Sequence, residues 1–260
     1  MASALIGGML AKGFDAQSIS VIERFEGARE NLARRYAVHT SAGADDATGA
    51  ADTLLLAVKP QDLRAALAPL AAIACGKLVI SIAAGVRLAD ISRWLGAHSL
   101  LVRSMPNTPA LIGAGIAALY APPAVGPAER GRAESVLAAV GETLWVEDER
   151  LLDPVTALSG SGPAYVFWFL EQLAQSGVAL GLREETARRL ALQTVLGAAQ
   201  LAARSSEPAS VLRERVTSRG GTTEAALRVF DEERLAERLH RALEAASRRG
   251  AELGEQLGRD

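Results

Sequence analysis

Over the first 146 residues, short continuous apolar runs alternate with charged, helix-period stretches; beyond that point only helix-period stretches remain. Residues 2–10 are small and apolar nearly all round, which suits a helix packed closely on a sheet. Lys12-Gly13 closes it. Residues 19–22 predict a buried strand and 26–36 a charged amphipathic helix. The run 52–58, continuously apolar from Leu54 onward, predicts a parallel strand covered on both faces, ended by Lys59-Pro60 and followed by a helix to about residue 73. Further strands are expected over 77–82 and 99–104, with a short helix over 87–95 between them. Strand and helix in alternation up to Val146 argue for βαβ units, and right-handed crossovers make the result a doubly wound parallel sheet. The helical remainder reads as 163–180, 184–204, 207–215, 222–231 and 233–257. A boundary in the acidic turn 147–149 gives an α/β domain over 1–148 and an all-helical domain over 149–260.

Composition narrows the function classes. With 28 Lys+Arg against 30 Asp+Glu the formal charge is −2, which leaves no electrostatic footprint for nucleic acid or an acidic membrane surface. No apolar run approaches the roughly 20 residues of a membrane span, and no charged segment followed by an apolar one opens the chain. A cytoplasmic location is expected. The single cysteine, Cys75, has no partner for an intramolecular disulfide, and His39, His98 and His240 are too dispersed for a metal cluster or a triad, so no metal is expected. Nearly all positive charge is arginine: the three lysines are Lys12, Lys59 and Lys77.

Candidate chemistry sits in loops. Val58-Lys59-Pro60-Gln61 and Ala83-Ala84-Gly85 follow strands at the end where ligands dock in open α/β sheets, although taken alone the first is better explained as a plain strand-to-helix turn, and close helix packing explains the small residues of the second equally well. Met105-Pro106-Asn107-Thr108-Pro109 is a third loop at the same face, stiffened by two prolines. In the helical half, Leu158–Tyr165 and Val216–Glu224 are runs of small residues that enter helix N-termini. There free N–H groups can seat an anion, or Ser and Thr can simply cap. A dinucleotide-binding sheet normally opens with a strand and a glycine-rich turn before its first helix. This chain opens inside that helix with no complete Gly-x-Gly-x-x-Gly string anywhere, and the expectation is that the strand lies upstream of the assigned start.

Taken in order, Leu-Ala-Val-Lys-Pro-Gln (56–61), Met-Pro-Asn-Thr-Pro (105–109), Ser-Gly-Ser-Gly-Pro-Ala-Tyr (159–165) and Thr-Ser-Arg-Gly-Gly-Thr-Thr (217–223) resemble the pyrroline-5-carboxylate reductase family. Arg219 departs from it, standing where members commonly carry proline or lysine. The resemblance implies a Rossmann-like domain followed by a helical dimerisation domain, and reduction of 1-pyrroline-5-carboxylate to L-proline with NADPH, NADH being possible. By carry-over, Met1, Ala57, Val58, Lys59, Pro60, Ala84 and Asn107 would border the cofactor. Ser218, Gly221, Thr222 and Thr223 would hold the substrate carboxylate, with the Thr223 hydroxyl on the imine nitrogen as the catalytic group. At the end of the second strand of such a sheet, Glu23 would suit an NAD ribose and Arg24 a 2′-phosphate. The implied partners are a small-molecule substrate and further copies of the chain, as a dimer or an assembly of dimers.

The chemistry agrees with this inventory. Hydride delivery to a protonated imine leaves no negative charge on the acceptor, so no oxyanion hole is required; positioning is the protein's task. Two rival readings exist. A hydroxyacid dehydrogenase of similar layout would use a lysine in the helical half, and no lysine follows Lys77. A non-catalytic dimer would follow if the pyrophosphate turn were truly lacking.

Overall fold

The short side chains of residues 2–10 do form a helix, α1 (Ala2–Ala11), and they let it come close to its support. A Cβ on Gly8 would stand 2.5 Å from both the Ala139 carbonyl oxygen and Val140 Cγ1, so only glycine permits that approach. Strand β1 (Ser20–Ile22), helix α2 (Glu26–Tyr36), strand β2 (His39–Ser41) and helix α3 (Asp46–Ala50) follow. Asp45 and Thr48 close a capping box at the start of α3, a polar device that leaves no trace in the apolar pattern. Then come β3 (Thr53–Leu56), α4 (Leu63–Leu67), β4 (Leu78–Ser81), α5 (Leu88–Trp94), β5 (Leu101–Met105), β6 (Gly115–Tyr120), α6 (Pro127–Leu137), β7 (Gly141–Trp145) and α7 (Leu152–Val155). A one-turn π-helix, Thr156–Gly160, extends α7. Helices α8 (Gly162–Ala179), α9 (Glu184–Arg204), α10 (Ala209–Arg215), α11 (Thr222–Glu232) and α12 (Leu235–Arg259) complete the computed structural model, which describes residues 1–259.

The α/β arrangement with a helical C-terminal part is as expected, with two refinements in the sheet. β1 and β2 pair in parallel as a two-stranded sheet, while β3-β4-β5-β6-β7 form a five-stranded one; among the described residues no ladder joins β1 to β3. Within the larger sheet β6 runs antiparallel to β5, whereas every other pair is parallel. The reason is the connection: nine residues (106–114), folded as a 3₁₀ turn over 108–112, are too few for the crossover of a dozen or more that a parallel pair needs. Two apolar layers sandwich the sheet. Leu5, Leu78, Ile80, Val102, Leu119 and Leu137 lie on the α1 and α6 side, and Leu56, Leu63, Val79, Ile91 and Leu101 on the α4 and α5 side.

Two compact units result: Met1–Ser161 together with the chain from Glu244 onward, and Gly162–Leu243. The last four turns of α12 count with the first unit, and glycines let them lie flat on it. Gly250, Gly254 and Gly258 recur every fourth residue along one face; a Cβ on Gly254 would come within 2.7 Å of the Gly85 carbonyl oxygen and 3.1 Å of Arg87 Nε, and one on Gly258 would strike the Asp90 carboxylate. Arg93 Nη2 donates to the Gly258 carbonyl at 2.7 Å, placing a cation at the negative end of the helix. We expect Gly254→Ala to cost about 1–3 kcal/mol, because the nearest obstacle is backbone and cannot rotate away. A thermal unfolding midpoint within a degree of wild type would contradict this packing.

In the second unit α8 and α9 are joined by residues 180–183 as a helical hairpin, seated by Gly177 against Ala187 Cβ. Large apolar side chains remain uncovered on this unit, among them Phe167 at 65% exposure and Leu180 at 87%. Among the described residues no helix is long and apolar enough to cross a membrane.

Candidate active site

In the first unit, parallel strands β3, β4 and β5 are hydrogen-bonded neighbours, so the loops at their C-terminal ends line one edge of the sheet. These loops are 57–60, 82–87 and 106–109, and they bring Ala57, Val58, Lys59, Pro60, Ala84 and Asn107 to the same edge, the usual place for a ligand in an open α/β sheet. After β3 ends at Leu56, Pro60 starts a 3₁₀ turn over Pro60–Asp62, leaving Val58 and Lys59 exposed. After β4, Ser81 Oγ accepts from the Ala83 amide at 3.3 Å and Gly85 takes φ +81°, a conformation that side chains resist. Between them Ala84 is exposed and small, so a flat ligand would meet backbone there. Met1 is the N-cap of α1; its carbonyl accepts from Ala4 and Leu5 at 2.9 and 3.1 Å, and its side chain is exposed.

Asn107 is more occupied than the sequence suggests. At 9% exposure its Oδ1 accepts from the Ile116 amide at 3.0 Å, and its Nδ2 donates to the Ser159 carbonyl at 3.3 Å. Its side chain therefore ties the loop after β5 to the start of β6 and to the π-turn. Gly160 beside it is required by packing: a Cβ there would come within 2.5 Å of Met105 Cε. The Ser159–Gly160 string thus serves as a support for the loop after β5.

The side chains that sequence reasoning missed lie beneath this edge. Arg103 points from the middle of β5 into the interior, 2% exposed. Its Nη1 donates to Glu149 Oε1 at 3.0 Å and its Nη2 lies 3.8 Å from Asp153 Oδ1. Arg87 Nη2 donates to Asp153 Oδ2 at 2.9 Å, and the Leu88 amide donates to the same Glu149 oxygen at 2.8 Å. Two cations and two anions form a closed group. Burial pulls the Arg103 guanidinium below its ordinary pKa, while Glu149 and Asp153 pull the other way. One signal was present: a charged arginine in the middle of the predicted strand Leu-Val-Arg-Ser-Met, with acids at 147–149 and 153.

In the second unit, residues 216–223 lead into α11. Gly221 is the N-cap, its amide donating to the Ser218 carbonyl at 3.0 Å, and no side chain caps the helix. A Cβ on Gly221 would collide with Ser218 Oγ at 2.5 Å. Gly220, at φ +74°, donates its amide to Glu224 Oε2 at 2.6 Å. Thr222 and Thr223 are therefore inside the first helical turn, not caps, and their amides have no partner within the helix. Thr223 is half-buried, whereas Ser218 and Thr222 are exposed. An α-helix start of this kind, with free amides and a neighbouring hydroxyl, can hold a carboxylate.

Similarity to known proteins supports one family. The profile described as pyrroline-5-carboxylate reductase dimerisation matches residues 149–253, and one described as NADP oxidoreductase coenzyme F420-dependent matches residues 1–85. The pyrroline-5-carboxylate reductase of Pseudomonas aeruginosa is 45% identical over 99% of this chain and 95% of its own length; that of Synechocystis is 42% identical over 98% and 96%. A solved pyrroline-5-carboxylate reductase from Coxiella burnetii superposes with a TM-score of 0.92 at 40% identity, covering 97% of this chain and 94% of that one. The Plasmodium falciparum pyrroline carboxylate reductase, solved with NADP bound, gives 0.84 at 26% identity, over 97% and 94%. With identity this high over nearly its whole length, the chain belongs to the pyrroline-5-carboxylate reductase family.

Proposed function

We propose that this oxidoreductase reduces 1-pyrroline-5-carboxylate to L-proline, the last step of proline biosynthesis, taking the hydride from NADPH. The observation that carries the activity is the 45% identity to a reductase of that name across 99% of the chain. The exposed small backbone at Ala84, the half-buried Ala57 and the exposed Val58 and Lys59 suit a flat dinucleotide laid along the ends of β3 and β4. When bound, the reduced nicotinamide supplies the hydride.

The chain's own residues orient and bind. The amides of Thr222 and Thr223 at the α11 N-terminus would hold the substrate carboxylate, with Ser218 and Gly221 shaping the bend. The Thr223 Oγ1 would accept a hydrogen bond from the protonated imine nitrogen, fixing the acceptor carbon's orientation. No acid is needed if the imine arrives protonated, which explains a site served by threonine and backbone amides alone.

The choice of NADPH rests on the end of β1. Glu23 Oε1 accepts from the Phe25 amide at 2.9 Å, so this carboxylate is turned back onto its own loop rather than offered to a ribose. Arg24 is exposed, its guanidinium 4.8 Å over the Phe25 ring. Arg29 Nη1 donates to the carbonyls of both Glu23 and Arg24 at 2.9 Å, holding that loop in shape. A 2′-phosphate would find a cation there. The uncovered apolar side chains of Gly162–Leu243 support a homo-oligomer, since a patch of this kind marks a protein partner.

Purified protein should oxidise NADPH only when 1-pyrroline-5-carboxylate is added, with a higher kcat/KM than for NADH. Thr223→Ala should lower kcat roughly 10- to 100-fold, the worth of one hydrogen bond to a charged group. Its circular dichroism and NADPH affinity should stay as in wild type. Wild-type kinetics in that variant would remove Thr223 from the mechanism, and the absence of imine-dependent oxidation of either nucleotide would remove the activity.

A further inference from the structure

We infer that Glu149, with Arg103, Arg87 and Asp153, positions the loop between β4 and α5 for the dinucleotide; the inference rests on the reading above that Ala84 borders the cofactor. The N-terminus of α5 has no capping side chain of its own. Arg87 is its N-cap, so the first amide of the helix would be left open. Glu149, 61 residues away, supplies the missing acceptor: Leu88 N donates to its Oε1 at 2.8 Å. That same oxygen receives Arg103 Nη1 at 3.0 Å. One carboxylate oxygen therefore joins the middle of β5 to the start of α5.

Arg87 is held as well, by Asp153 Oδ2 at 2.9 Å. On the chain's other approach, Gly254 of α12 lies against the Gly85 carbonyl and Arg87 Nε. Residues 85, 87 and 88 thus have three separate anchors, all converging on the loop that exposes Ala84. The segment that begins at Glu149 also ends at Ser159, whose carbonyl takes Asn107 Nδ2. Two of the three loops at the sheet edge are secured by this one stretch of chain. Buried ion pairs add little net stability over apolar residues of the same size. What they add here is direction: each donor fixes a backbone position that an apolar contact would leave free to slide.

The test compares Glu149→Ala with Glu149→Gln. In Glu149→Gln the side-chain amide oxygen still accepts from both Arg103 and Leu88, so the bridge survives without its charge; the alanine removes it. Arg103 keeps Asp153 in either variant and the Glu149 side chain is 20% exposed, so water reaches the gap and both proteins should fold. In Glu149→Ala we expect faster hydrogen exchange at the amides of residues 84–88 and a KM for NADPH raised about tenfold, the scale of one charge-assisted hydrogen bond. The kcat at saturating nucleotide should stay within about twofold, and Glu149→Gln should restore both readouts. Unchanged exchange and KM in the alanine variant overturn the inference. So do equal losses in the two variants, which would assign the effect to charge, or a fall in kcat without a change in KM. Exchange is measured without substrate, so an inactive wild-type enzyme would sink the proposed reaction while leaving the role of Glu149 decided.

Discussion

Arg103→Met should lower the unfolding free energy by about 3–5 kcal/mol, the cost of removing one partner from a buried charge group. Methionine nearly matches the arginine stem in length and leaves little cavity, so the loss isolates the charge. In the native protein the guanidinium is 2% exposed on a central strand, and its desolvation is offset by Glu149 at 3.0 Å and Asp153 at 3.8 Å. Without it Glu149 retains only the Leu88 amide and Asp153 only Arg87. Two carboxylates then share a mostly dry site with one cation. The double variant Arg103→Met/Glu149→Gln should recover part of the loss, since it removes the anion left uncompensated; the two sites touch, so their effects will not add. Urea unfolding at matched protein concentration measures both, because association contributes to apparent stability. A single-variant loss below about 1 kcal/mol would mean that solvent screens both carboxylates as fully as it does a surface pair, and that the buried guanidinium is not what balances them.

The sequence and the structure agree best where local physics decides. Helix α9 runs Glu184–Arg204, the span its amphipathic pattern predicts, and β4 sits inside the predicted 77–82. β6 escaped notice because Gly-Ile-Ala-Ala-Leu-Tyr has little β-branched character, and its strand state comes from pairing with β5 and β7. β2, three residues long with only His-Thr-Ser, owes its existence to its ladder with β1. At the site, the loops after β3, β4 and β5 were legible from strand ends and prolines. The employment of Asn107 was not, because its partners Ile116 and Ser159 lie 9 and 52 residues further along the chain. The group around Arg103 was hidden for the same reason: its ion pairs join residues 46 and more apart. The spacing of Gly250, Gly254 and Gly258 was visible, but only its facing surface gives it meaning.

Gly141→Ala should be comparably severe, about 4 kcal/mol, through backbone alone. Gly141 opens β7 at φ +153° and ψ −159°, and pairs in register with Gly115, which opens β6. A Cβ there would overlap the carbonyl of Gly115 and stand 2.6 Å from its nitrogen. No side chain can rotate to relieve it, so backbone strain and overpacking, each about 1–3 kcal/mol, combine. Gly115 has no room to retreat, since a Cβ on it would already lie 2.9 Å from Ala110 N and Cα. The damage should therefore reach the site: Ile116, the next residue of β6, is the donor that holds Asn107. Thermal unfolding should show a large drop in midpoint, and any folded fraction should lose proline-forming activity more than its helical signal. Gly131→Ala in α6 is the matched control, because nothing lies within 4 Å of its added carbon. That variant should gain about 0.5–1 kcal/mol from helix propensity. If the two glycines respond alike, the close approach of β6 and β7 at their first residues is wrong, and with it the account of how Asn107 is held in place.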